Sequence, residues 1–166
     1  GDPDAIAANT AYLDPAHLHA YLELHIEQGP VLQDEGFPVG IVTGIRGNFR
    51  CPEARVSGEY SHCGGVPRDN RRDAVMAAAE FVSALYALWT TSEDAGRDMA
   101  VTVGKFFTDP TEHAMTKISG DVRFSLDVRT LDPDFLIELE TRVTALAETE
   151  KTETGKTTAA ATMSPR

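Results

Sequence analysis

Several things are scarce in this 166-residue chain, and each scarcity excludes something. There are two cysteines, Cys51 and Cys63, too few for a disulfide scaffold and without the paired spacing of a structural zinc site. They fit a reducing, cytoplasmic setting. Basic residues are outnumbered 15 to 26 by acidic ones, so the formal charge is −11. Such a chain repels phosphate backbones and anionic lipid surfaces, which argues against nucleic acid and membranes as partners. No uninterrupted apolar run approaches the roughly 20 residues that span a bilayer. The first ten residues, GDPDAIAANT, have no basic or apolar segment of a secretory signal. No internal repeat is visible. What remains is 42% hydrophobic, which suits one compact domain or a domain plus part of another.

Patterning supplies the elements. Residues 20–26 alternate Leu22, Leu24 and Ile26 with Glu23 and His25, and residues 39–45 are β-branched and glycine-flanked; both read as strands. Residues 53–61 read as another strand whose start, beside Pro52, is an edge or a bulge. A helix is expected over residues 73–89, a loop over 90–98, and a strand over 100–107. Residues 120–129 give the clearest alternation in the chain. Asp132-Pro133 then opens a helix as N-cap and first-turn proline, with Phe135, Leu136, Leu139, Val143 and Leu146 on one stripe. The tail, 151–166, has five threonines and three alanines but no Val, Ile, Leu or aromatic residue, and is expected to lack regular structure. The order from residue 53 is most of a split β-α-β-β-α-β motif with its last strand missing.

Polar candidates stand out on this frame, each with a plainer alternative. His25 has the chemistry of a zinc ligand, but one histidine is no metal site, and a solvent-facing strand histidine explains it as well. Glu27 and Gln28 follow it and suit a turn equally. His62 opens the Gly-rich loop His62-Cys63-Gly64-Gly65-Val66-Pro67, where backbone can approach a ligand closely. Arg68, Arg71 and Arg72 could grip a carboxylate, although Asp69 and Asp73 favour a local ion-pair network. Arg129 ends the alternating strand on its polar face, as an anion clamp or an ordinary surface charge. Asn48, between Gly47 and Phe49, has a turn role by default.

Four segments in order carry a resemblance beyond spacing: Tyr21-Leu22-Glu23-Leu24-His25-Ile26-Glu27-Gln28-Gly29-Pro30-Val31-Leu32; Gly40-Ile41-Val42-Thr43-Gly44-Ile45-Arg46-Gly47; Gly58-Glu59-Tyr60-Ser61-His62-Cys63-Gly64-Gly65-Val66-Pro67 with Arg71-Arg72-Asp73-Ala74; and Phe124-Ser125-Leu126-Asp127-Val128-Arg129. Together they resemble the zinc amidohydrolases that include N-carbamoyl-L-amino-acid hydrolase, allantoate amidohydrolase and β-ureidopropionase, in the aminoacylase-like metallopeptidase clan. The resemblance implies an α+β fold. The end of an α/β metal-binding domain (1–46) would precede a dimerisation or lid domain (47–150) with an antiparallel sheet, two helices and a ferredoxin-like split β-α-β order; 151–166 falls outside the family pattern.

The resemblance also implies roles. His25 would ligate a two-metal centre (Zn²⁺ or Mn²⁺) beside Gln28. Asn48, Thr116 (where the family has asparagine) and Arg129 would bind a ureido or carbamoyl acid, Arg129 through its carboxylate. His62 would reach substrate and transition state from the lid, typically of a neighbouring subunit in a homodimer. The remaining metal ligands of the family have no counterpart here, so the chain is expected to be an internal piece, inactive alone. A non-catalytic dimerisation module is the competing expectation, with residues 73–89 and 100–107 as its surface.

Overall fold

The computed structural model describes residues 2–9 and 13–149 and the backbone of 160–162. It divides into two compact units, Gly1–Val42 and Thr43–Arg166.

Among its described residues the first unit holds only short helices: α1 (Pro3–Ala7), a 3₁₀ turn (Pro15–His17) and α2 (Val31–Asp34). Asp2 and Asp14 cap the first two, each followed by proline at the first helical position. The expected strands at 20–26 and 39–45 are not formed. Their alternation is real, yet Leu22 and Leu24 are 92% and 98% exposed. A strand exists only as one rung of a ladder, and no neighbouring strand is available within these residues to accept its hydrogen bonds.

The second unit is α+β. Its antiparallel sheet is built from β1 (Gly47–Ser57), β3 (Ala100–Thr108), β5 (Asp121–Thr130) and β6 (Ala160–Thr162), in the order β3-β5-β1-β6. A small ladder joins β2 (Ser61–His62) to β4 (Lys117–Ile118). Two helices, α3 (Ala74–Asp94) and α4 (Pro133–Thr149), close one face. Along β5, Val122, Phe124, Leu126 and Val128 are buried, as are Phe49, Cys51, Ala54 and Val56 of β1. Phe81 and Leu85 of α3 and Phe135, Leu139 and Val143 of α4 pack into the same core. Phe81 and Phe124 sit at its centre, ring centroids 5.5 Å apart.

Three expectations are corrected, and the expected irregularity at Pro52 is present. β1 starts at Gly47, six residues before the expected strand, because Phe49 and Cys51 already point into the core. Pro52, unable to donate to the ladder, is absorbed by the register shift between Cys51 and Ala54. α3 runs on through the expected loop to Asp94; the hydroxyls of Thr90, Thr91 and Ser92 donate to the carbonyls of Tyr86, Ala87 and Leu88, so these polar residues satisfy themselves inside the helix. That helix is long and apolar enough to cross a membrane by length and composition, and one stripe of it lines the core. Finally, β6 fills the position of the expected missing strand. Residues 160–162 pair antiparallel with Arg55, Val56 and Ser57, on the edge of β1 that would otherwise leave its backbone groups open. The rest of the expected irregular tail lies outside the described residues.

Candidate functional site

The six residues to which the resemblance gives roles are all exposed; His25 and Gln28 belong to the first unit and the other four to the second. In the first unit, Gln28 has a left-handed backbone (φ +60°), uncommon for a side-chain-bearing residue, where the chain turns at Gly29-Pro30. Glu27 accepts the backbone N–H of Leu32 at 3.1–3.2 Å and so caps the start of α2. The imidazole Nδ1 of His25 faces the carbonyl of Ile26. As the N–H donor there, Nδ1 leaves the Nε2 lone pair for a ligand. A metal needs more than this. Among the described residues no three His, Cys, Asp or Glu side chains converge. The residues present therefore do not make a metal site by themselves.

In the second unit, one end of the sheet gathers cations. Asn48 of β1 lies directly opposite Arg129 of β5, and Arg50 opposite Asp127. Directly opposed residues share a face, here the face without helices. Arg129 donates to the Asp127 carboxylate through Nε (3.0 Å) and Nη2 (2.8 Å), and Arg50 donates to it through Nε (3.1 Å). The guanidinium of Arg129, with help from Arg50, holds the Asp127 carboxyl below the usual range. Just before β1, Arg46 is bound to Asp98, which also accepts the backbone N–H of Leu131 at 2.8 Å.

His62 lies elsewhere. β1 runs from Asn48 away to Ser57, and the chain turns before reaching β2. Nine steps of about 3.3 Å each put Asn48 and Ser57 about 30 Å apart along the strand. His62 faces Lys117 across the β2–β4 ladder, and the carbonyl of Thr116 accepts the Cys63 N–H at 2.8 Å. So Thr116 is brought to His62, and Asn48 to Arg129, but the two pairs stay apart. His62 Nδ1 accepts the N–H of Gly64 at 3.1 Å. In a neutral ring this fixes the proton on Nε2, which then points outward as a donor.

The loop is held hard. Arg71 donates to the carbonyls of Val66 and Cys63 at 3.0 and 2.5 Å, and Asp73 caps α3 through the N–H groups of Val75 and Met76. Arg71 thus braces the loop and Asp73 caps the helix. Gly58 and Gly120 permit the close crossing behind it; a Cβ on Gly58 would sit 2.1 Å from the Arg72 carbonyl oxygen. Lys117 also lines a cleft of about 370 Å³ with Tyr60, Thr108, Glu112 and His113.

Sequence reading missed Arg50 and Asp127 as site members. Their signal was present in the polar alternation of residues 121–129, but the register that pairs them is a long-range property.

No protein-family model matches the chain. It is 37% identical over 134 residues to allantoate deiminase of Arabidopsis thaliana, covering 72% of this chain and 25% of that protein. It is 35% identical over 150 residues to N-carbamoyl-L-amino acid amidohydrolase of Geobacillus stearothermophilus, covering 89% and 34%. The crystal structure of a hydantoinase/carbamoylase family amidase from Burkholderia phymatum superposes with a TM-score of 0.79 at 30% identity, over 93% of this chain and 36% of that one. The chain belongs to the hydantoinase/carbamoylase family of amidases. It spans about a quarter to a third of the length of these relatives.

Proposed function

We propose that this chain is part of a divalent-metal amidohydrolase that cleaves linear C–N bonds of N-carbamoyl or ureido acids. Residues 47–150 are its lid and dimerisation domain, and residues 1–46 end its metal-binding domain. In the intact enzyme, His25 together with ligands outside this chain would hold the metal, which would supply an activated water. Arg129 and Asn48 take the substrate carboxylate and fix its orientation, which lowers the entropic part of the barrier. His62 donates its Nε2–H to the oxygen that becomes negative as water adds to the carbonyl carbon.

The observation that carries this reading is that Arg129 of β5 is paired with Asn48 at the start of β1, whereas His62 is on β2, which the chain reaches from the far end of β1. One lid cannot place both on one small substrate. A substrate that meets both must take one of them from a second subunit. A pairing surface supports this: among the described residues β3 is bonded only to β5, which leaves its other edge without a strand. Beside that edge Ala79, Val82, Tyr86, Val103 and Phe106 line an apolar groove of about 580 Å³. These are the helix and strand that the resemblance implicates in dimerisation.

The chain alone is expected to sediment as a dimer and to show no turnover of N-carbamoyl amino acids with Zn²⁺ or Mn²⁺. A strict monomer at high concentration refutes the dimer. Turnover that His25→Ala abolishes refutes the view that ligands beyond these residues are required.

A further inference from the structure

Asp127 stands between two guanidinium groups. Arg129 meets it side-on, through Nε and Nη2 at 3.0 and 2.8 Å, and Arg50 meets it through Nε at 3.1 Å. All three project from the helix-free face of the sheet, with Asn48 across from Arg129. A guanidinium has five N–H donors in a rigid fork. Two of the five on Arg129 are engaged with Asp127, so its outer Nη1/Nη2 edge remains for a second carboxylate. Without Asp127 the side chain is a long rotor; with it, the fork has one direction. Asp127 brings its own negative charge, however. An isolated Asp127–Arg129 pair is neutral and attracts an incoming carboxylate weakly. Arg50 makes the trio +1. The chain as a whole carries −11, so this local sign is what an anionic ligand meets.

We infer that Asp127 is a positioning residue which aims the outer edge of Arg129 at a substrate carboxylate, and that Arg50 is a specificity residue which keeps the site cationic. The inference rests on the reading above, that Arg129 takes the carboxylate. It adds two residues with distinct jobs, one geometric and one electrostatic. A purely structural ion pair would tie β1 to β5 and have no preference between a carboxylate and its amide.

The test uses the 166-residue chain labelled with ¹⁵N, titrated with N-carbamoylglycine and, in parallel, with its neutral carboxamide. Shifts of the Arg129 side-chain Nε–H and of the β5 amides report binding. In wild type the carboxylate is preferred over the amide. Asp127→Asn raises the trio to +2, so charge alone would strengthen carboxylate binding; a weakening of about three- to tenfold, with amide binding unchanged, is the expected result and the mark of lost aim. Asp127→Glu should restore part of it. Arg50→Gln is expected to reduce both the preference and its dependence on salt.

Unchanged spectra of the core residues show that each variant is folded. If Arg129→Gln abolishes the preference while Asp127→Asn and Arg50→Gln keep it whole, the inference is overturned and the reading of Arg129 survives. If Arg129→Gln keeps it too, or wild type shows no preference, the reading of Arg129 falls as well.

Discussion

Gly58→Ala is the sharpest probe of how the His62 loop is held. The added methyl would lie 2.1 Å from the Arg72 carbonyl oxygen and 3.0 Å from the Ala74 nitrogen, both backbone atoms that no side-chain rotation can clear. Ordinary contact needs about 3.2 Å or more, so the strand exit or the start of α3 must move by about 1 Å. Two backbone hydrogen bonds run through this crossing, Gly58 N–H to Gly120 at 2.8 Å and Glu59 N–H to Arg72 at 2.8 Å. Each contributes about 1 kcal/mol net. With one or both of them lost and overpacking strain of about 1–2 kcal/mol added, the variant should lose about 2–4 kcal/mol. The assay is urea unfolding followed by fluorescence of the single tryptophan, Trp89, which packs against the core. Gly65→Ala in the same loop is the control, because its nearest new contact is at an easy 3.9 Å. A loss below about 0.5 kcal/mol for Gly58→Ala, or an equal loss for Gly65→Ala, would refute the crossing as described.

Phe135 is fully buried under Arg97, whose guanidinium carbon lies 3.4 Å from the ring centroid; Phe135→Ala should cost about 3–5 kcal/mol in the same urea assay. Asp73→Ala removes the acceptor of two N–H groups at the start of α3 and should cost about 1 kcal/mol, read as a lower midpoint with unchanged slope. Acid should act through Asp127 and Asp98. Arg129 and Arg46 depress their folded pKa values, so their stabilisation is present above the ordinary aspartate value of about 3.9 and is lost as pH falls through the lower folded values. Unfolding midpoints from pH 7 to 2 for wild type and Asp127→Asn should therefore converge only at the acid end.

Much of the second unit was legible because its information is local. The alternation of residues 121–129 and the Asp-Pro start of α4 specify a strand and a helix within a few residues of themselves. Other features depend on partners. Residues 20–26 have a strand's pattern, but no neighbour supplies the ladder. Thr90, Thr91 and Ser92 look like a loop by composition, yet their hydroxyls find carbonyls one turn back. Residues 160–162 have no apolar pattern, and β1's free edge gives them a place. The site shows the same divide. His62, Asn48 and Arg129 could be singled out one by one, but only register reveals that Asn48 and Arg129 are opposed and that Asp127 joins Arg129 to Arg50.

The claim that His62 and Arg129 serve different lids' sites is open to complementation in the intact enzyme proposed above. His62→Ala and Arg129→Ala should each abolish hydrolysis of an N-carbamoyl amino acid. Mixed subunits should regain it. Half the dimers are then hybrids, and each hybrid has one site with both residues intact, so about a quarter of wild-type activity returns. If mixing restores nothing while hybrid dimers demonstrably form, both residues act within one subunit's site and the account is contradicted.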